Sequence, residues 1–184
     1  MQTLILNGSP RAQGNITKAV ELITANLQGE YKTVNAYDCD ISACVDCRYC
    51  WQNSGCAVKD GMQDVYDYIQ TCDNIVIASP IYFSELTGKL LNVGSRFQTY
   101  YCAREFRNEQ PIEKPKKGAV VLVGGGDGNM NKAYETACTL LKHINCTDIC
   151  KPLFYHATNT SDVTDSEEIK LAIKQITDFL SKEK

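Results

Sequence analysis

The chain has 184 residues, 43% hydrophobic and 22% charged, with a net charge of −3 and a pI near 5.4. This balance excludes a disordered or fibrous chain, and it excludes a protein that grips nucleic acid or an anionic membrane through a basic field. Ten cysteines at this length are too few for a disulfide-built mini-scaffold, and a core of this size needs no covalent staples.

The chain opens on Met1-Gln2-Thr3-Leu4, with neither the basic nor the apolar segment of a secretory leader. The expected compartment is therefore the reducing cytoplasm, where thiols are not paired. Thr3–Leu6 predicts a first strand, stopped by Asn7-Gly8-Ser9-Pro10. Ile16, Ala19, Val20, Ile23 and Leu27 recur at three- and four-residue steps and predict a helix. Lys32–Tyr37 predicts a second strand, and Asp38–Lys59 an irregular stretch rich in cysteine. Met62, Val65, Tyr66 and Ile69 mark the next helix, and Asn74–Ala78 a buried strand ended by Ser79-Pro80.

Leu86, Leu90, Val93 and Phe97 mark a third helix. Arg104–Lys117 is polar with two prolines and reads as a surface connection. Ala119–Val123 is a fourth strand, broken by Gly124-Gly125-Gly126-Asp127-Gly128. Ala133, Ala137, Leu140, Leu141 and Ile144 mark a fourth helix, and a fifth strand falls within Asp148–Tyr155. A capping box of Thr164 with Glu167 opens the last helix, which turns Ile169, Ile173, Ile176 and Leu180 inward. The apolar runs Ile75–Ala78 and Ala119–Val123 are too short to span a bilayer.

Alternating strands and helices predict an α/β fold, one doubly wound parallel sheet over residues 1–184. The third and fourth strands are apolar throughout, as a sheet covered on both faces requires. Five strands fit the flavodoxin-like order 2-1-3-4-5. In that order the loops after strands 1, 3 and 4 meet at the carboxyl edge, where such folds bind ligands. Those loops are Asn7–Thr17, Ser79–Glu85 and Gly124–Met130.

The first loop offers glycines for close backbone approach, a helix amino terminus, neutral donors at Ser9, Asn15 and Thr17, and the charge of Arg11. Together these suit a terminal phosphate. The alternative is a plain turn with Asn15 as a helix cap. A P-loop is excluded because Asn15, not Lys, follows Gly14. A dinucleotide fingerprint is excluded because Gly8 precedes Ser9-Pro10. The first loop carries no cysteine nucleophile, and Ser79 stands where a receiver domain needs an aspartate. Tyr82 and Phe83 add aromatic surface for a planar ring, with ordinary packing as the alternative.

These motifs, Gly8-Ser9-Pro10-Arg11 with Gly14-Asn15, Ser79-Pro80-Ile81-Tyr82 and Gly124-Gly125-Gly126-Asp127, resemble those of the NADPH-dependent FMN reductase family. The resemblance runs from the first strand to about the fourth helix. It implies FMN as cofactor and NAD(P)H as a transient electron donor. It implies that Ser9, Arg11, Gly14, Asn15, Ile16 and Thr17 hold the phosphate. Pro80, Ile81, Tyr82 and Phe83 then line the ring, with Gly125, Gly126 and Asp127 at its edge. It also implies a homodimer or homotetramer that serves a small-molecule or protein electron acceptor.

Cys44, Cys47, Cys50 and Cys56 place four thiols within thirteen residues. Short C-x2-C steps turn neighbouring sulfurs toward one centre, as [4Fe–4S] ligation needs. Zinc and a metal-free thiol loop are the alternatives. The spacing is similar to the compact motif of iron–sulfur flavoproteins, a branch of the same family. By that likeness these four cysteines hold a [4Fe–4S] cluster that exchanges electrons with FMN. Where relatives often carry Asp-Arg, this chain has Ser95-Arg96. The other six cysteines, Cys39, Cys72, Cys102, Cys138, Cys146 and Cys150, are expected in the core.

The predicted activity is electron transfer from NAD(P)H or a reduced carrier through FMN to an acceptor. The second reading is a flavodoxin-like carrier without turnover and with a metal-free cysteine loop.

Overall fold

The computed structural model describes residues 1–126, 128–156 and 158–182. Its strands are β1 (Gln2–Asn7), β2 (Glu30–Asn35), β3 (Asn74–Pro80), β4 (Lys116–Val123), β5 (Cys146–Ile149) and β6 (Leu153–Tyr155). Its helices are α1 (Asn15–Asn26), α2 (Tyr49–Gln52), α3 (Met62–Thr71), α4 (Gly88–Ser95), α5 (Gln98–Arg107), α6 (Asn131–His143) and α7 (Glu167–Ser181). The strands run parallel in the order β2-β1-β3-β4-β5, and β6 pairs with β4 as well. This is the expected doubly wound order with one addition.

Alternate strand residues feed two separate cores, because successive side chains point to opposite faces. Leu4, Leu6, Ile75, Ile77, Val120 and Leu122 pack under α3, α4 and α6. Ile5, Val76, Ala78, Ala119, Val121 and Val123 pack under α1 and α7. Every residue of β4 is buried, so this strand lies under helices on both faces. Cys72, Cys102 and Cys146 are buried, whereas Cys39, Cys138 and Cys150 are half-buried. No helix among the described residues is long and apolar enough to cross a membrane.

Four local expectations change. The fifth strand is two short pieces separated by Cys150-Lys151-Pro152. β5 pairs with the first half of β4 and β6 with the second, and the intervening Pro152 has no N–H for a ladder. The third helix divides at Arg96-Phe97 into α4 and α5. The supposed connection from Arg104 to Lys117 is partly regular: α5 reaches Arg107, Asn108 ends it in a left-handed conformation (φ 53°), and β4 starts at Lys116. Finally, Ser166 rather than Thr164 caps α7, accepting a bond from the Ile169 N–H at 3.3 Å. Thr164 lies in a preceding 3₁₀ turn capped by Asp162.

Ile77 is fully buried in the middle of β3, where truncation leaves a cavity that two flanking strands cannot fill. Ile77→Ala is expected to lower the unfolding free energy by about 2–5 kcal/mol in a urea titration.

Candidate functional site

The carboxyl ends of β1, β3 and β4 open onto one cleft of about 140 Å³. Its wall comes from Ser9, Pro10, Arg11, Gly14, Asn15 and Ile16 of the first loop. Pro80, Ile81 and Tyr82 follow from β3, and Val123, Gly124 and Gly125 from β4. Asn7 starts the first loop by accepting the Ser9 N–H at 2.9 Å. The Ser9 hydroxyl donates to the Arg11 carbonyl at 3.0 Å, and Thr17 donates to the same oxygen at 2.9 Å. Those two hydroxyls therefore shape the loop. α1 then begins at Gly14 with no side-chain cap. The first N–H groups of a helix have no partner within it, so this end presents donors and a positive dipole to an anion.

Asn15 does not cap its own helix. Its carboxamide oxygen accepts the Val163 N–H at 2.7 Å, and Lys18 pairs with Asp162. The Lys18 ammonium, with the N–H and hydroxyl of Thr164, holds the Asp162 carboxyl down at about 2. These bonds fasten the segment after β6 against α1 and bring Thr158 and Asn159 into the cleft wall. Neither residue is expected from the sequence, where a fifth strand lies at the far edge of the sheet. The available signal is the polar run Thr158-Asn159-Thr160-Ser161, two residues beyond a strand. The approach is close: a Cβ on Gly125 would overlap the Asn159 side chain.

Three predicted residues stand apart from this wall. Thr17 and Gly126 do not line the cleft. Phe83 sits at the tip of a turn in which Tyr82 and Glu85 exchange backbone bonds of 3.0 Å each. Phe83 and Ser84 both take positive φ, 53° and 61°, the conformation of a type I′ turn normally given to Gly or Asn. The phenyl ring is fully exposed, while Tyr82 is about half-exposed (46%). Asp127 lies outside the described residues.

The cysteine loop leaves the carboxyl end of β2, and a buried arginine ties its two ends together. Arg96 Nη1 donates to the Ser42 carbonyl at 2.9 Å and to the Asp60 carboxylate at 2.7 Å, and Nη2 donates to the Val58 carbonyl at 3.0 Å. Both ends of the loop are thus tied to the junction of α4 and α5. Ser95 Oγ accepts the Cys44 N–H at 2.9 Å, so the hydroxyl serves as a loop anchor next to Arg96. Thr99 donates to the Gly55 carbonyl at 2.9 Å, Arg107 donates to the Cys50 carbonyl, and Trp51 stacks on Phe106 at 4.2 Å. Burial pushes the Asp60 carboxyl up, but the Arg96 guanidinium and the N–H groups of Ser42 and Met62 outweigh it and hold it below the usual range.

Cys44, Cys47, Cys50 and Cys56 are free thiols and line one hollow with Arg96 and Thr99. Four soft sulfur donors suit a thiolate-bound metal group. The hollow measures about 20 Å³, room for about one water, so a cluster requires the loop to open around it. Among the described residues no three Cys, His, Asp or Glu side chains converge on one point to hold a metal ion. Burial, then the neighbouring Cys102 thiol, pushes the Cys50 thiol up to about 12.

The model of the NADPH-dependent FMN reductase family matches residues 1–177. The chain belongs to that family. It is 26% identical to an iron–sulfur flavoprotein of Methanocaldococcus jannaschii over 139 residues, covering 74% of this chain and 67% of that protein. An iron–sulfur flavoprotein of Archaeoglobus fulgidus is 25% identical over 131 residues, covering 70% of this chain and 56% of that one. The chain thus spans roughly two thirds or less of these two relatives' lengths. Among solved structures it resembles an NAD(P)H:quinone oxidoreductase from Methanothermobacter marburgensis, with a TM-score of 0.74 at 16% identity, covering 100% of this chain and 98% of that one. It also resembles an FMN-dependent NADH-azoreductase from Bacillus anthracis in complex with FMN, with a TM-score of 0.68 at 14% identity, covering 99% and 100%. At these identities the structural likeness establishes the flavodoxin-like fold of the family.

Asp60→Ala leaves Arg96 as a buried unpaired charge and is expected to cost about 3–5 kcal/mol in chemical denaturation. In the native protein the folded pKa of Asp60 lies below its unfolded value, so the pair's contribution is present above the ordinary carboxylate range. It is lost as the pH falls through and below that range, a dependence that Asp60→Ala removes.

Proposed function

We propose that this chain binds FMN in the cleft at the carboxyl edge of the sheet and works as an NAD(P)H-dependent oxidoreductase. The observation that carries this reading is the convergence of the three strand-end loops on one cleft with an uncapped helix terminus at its end. In it the amino end of α1 and Arg11 hold the phosphate, and Ser9 and Thr17 keep the Arg11 backbone in position to do so. Pro80, Ile81 and Tyr82 flank the ring, and Gly124, Gly125 and Asn159 bound its edge. When bound, FMN supplies the exchange between two-electron and one-electron chemistry. The protein's part is binding, orientation and exclusion of water, and no side-chain acid or base is required of it.

In this reading Cys44, Cys47, Cys50 and Cys56 hold a [4Fe–4S] cluster, supported by their spacing, by their shared hollow and by the relatives named iron–sulfur flavoproteins. A cluster so held supplies one-electron transfer. The second reading is a flavin-binding carrier whose cysteine loop is metal-free. Homodimer or homotetramer assembly and a cytoplasmic setting belong to the first reading as well.

Purified protein is expected to carry FMN or to bind added FMN, and Arg11→Ala is expected to weaken it roughly 10- to 100-fold in a fluorescence titration, the equivalent of about 1.5–3 kcal/mol. Failure of the wild-type protein to bind FMN would overturn the flavin reading. Anaerobically purified protein is expected to contain iron and acid-labile sulfide that Cys47→Ala abolishes; iron-free protein under those conditions overturns the cluster reading. Steady-state NAD(P)H oxidation with a quinone or ferricyanide separates the reductase from the carrier.

A further inference from the structure

The lining of the carboxyl-edge cleft changes character along its wall. The turn after β3 contributes the apolar surface of Pro80 and Ile81, while Thr158 and Asn159 contribute polar side chains beside the bare backbone of Gly124 and Gly125. Much of the backbone there is already paired. The Thr158 N–H donates to the Gly124 carbonyl at 3.1 Å, and the Gly124 N–H to the Tyr155 carbonyl at 2.9 Å. The Asn159 carboxamide lies directly on Gly125, where an added Cβ would overlap its oxygen, nitrogen and carbon atoms. Only a residue without a side chain at position 125 leaves the carboxamide this place in the wall.

Asn159 is held there by ties on both sides of it. On the β6 side the His156 ring bonds the Gly126 carbonyl at 3.0 Å, and the Tyr155 and Ser161 hydroxyls share a bond of 2.6 Å. On the other side Asp162 pairs with Lys18 of α1, and the Val163 N–H donates to the Asn15 carboxamide at 2.7 Å. Residues 158–163 thus form a strap fastened to the helix whose amino end faces the cleft. Lys18 and Asp162 do not line the cleft themselves, so their pairing reaches a ligand through the strap.

We propose that Asn159 reads the polar edge of the flavin ring, and that Asp162, through its pairing with Lys18, is the positioning residue that holds it there. A carboxamide sets an acceptor beside two donors. The pyrimidine edge of a flavin alternates carbonyl and N–H groups and is complementary to it. The opposite edge bears methyl groups and suits the apolar Pro80 and Ile81. The inference rests on the reading of this cleft as an FMN site and adds the residue that selects which edge of the ring faces the strap.

The test compares FMN with riboflavin, which has the same ring and no phosphate, by fluorescence titration of the full chain. Asn159→Ala is expected to weaken both flavins alike, about 3- to 10-fold, the worth of one neutral hydrogen bond. Arg11→Ala, acting on the phosphate, is expected to weaken FMN alone. Asp162→Ala is expected to weaken both flavins by about the same factor as Asn159→Ala, and Asp162→Asn, which keeps an oxygen to cap the next turn, by less. Because both changes remove one contact, Asn159→Ala is expected to cost little more in the Asp162→Ala background. Circular dichroism matching the wild type shows that the variants fold. Wild-type affinity of Asn159→Ala for both flavins overturns the inference, as does a loss confined to FMN, which places the residue at the phosphate. Fully additive losses overturn the positioning role of Asp162. Wild-type protein that binds FMN but not riboflavin does not grip the ring and also overturns the inference. Wild-type protein that binds neither flavin overturns the FMN reading itself, and the inference with it.

Discussion

The sheet is buried on both faces, and most of the remaining structure follows from that. Parallel strands cannot be joined by tight hairpins, so helices must carry the chain back over one face or the other. Leu6 and Ile77 face one set of helices while Ile5 and Val76 face the other. With both faces filled, only the ends of the strands remain open to ligands. The first loop, the Ser79-Pro80 turn, the glycine run and the cysteine loop all leave from carboxyl ends, of β1, β3, β4 and β2. The cleft at the carboxyl edge and the thiol hollow are therefore products of one constraint.

Within that frame the cysteine loop has little apolar surface of its own to fix it. Val45 is exposed, and Asp46 and Arg48 take left-handed conformations that cost non-glycine residues energy. What holds the loop is the buried pair of Arg96 with Asp60. Burying two charges is expensive, and the geometry has to be good for the pair to hold. Here one guanidinium satisfies a carboxylate and two carbonyls at 2.7–3.0 Å. Asp60 in turn takes the N–H groups of Ser42 and Met62 at 2.9 and 3.0 Å, starting α3 as it closes the loop. A hydrophobic residue at position 96 would fill the space but would leave the loop's carbonyls unpaired.

The regular elements were legible because they are written in local periodicity. Ile16, Ala19, Val20 and Ile23 do form the buried face of α1, and Ile169, Ile173, Ile176 and Leu180 that of α7. Legibility failed where a local signal had two outcomes. Arg104 and Arg107 look like loop residues by polarity, yet they are favourable in the last turn of a helix, where cations meet the dipole's negative end. Phe83 beside Tyr82 reads as ring-lining surface, whereas its placement at positive φ in an exposed turn, outside the cleft wall, has no local signal. Thr164 and Glu167 have capping-box spacing, but Asp162 caps the preceding turn and leaves Ser166 to begin α7.

The sequence by itself determined the order of strands and helices, the unusual first loop and the spacing of four thiols. Each is a property of neighbouring residues, set by side-chain periodicity and backbone preference. Only the tertiary structure decided that Asn159 meets Gly125, that Asn15 ties down Val163, and that Arg96 and Arg107 flank the cysteine loop. Those pairs lie tens of residues apart or more. Their meeting depends on how β6 docks against β4 and how α5 packs beside α2, which no local preference encodes.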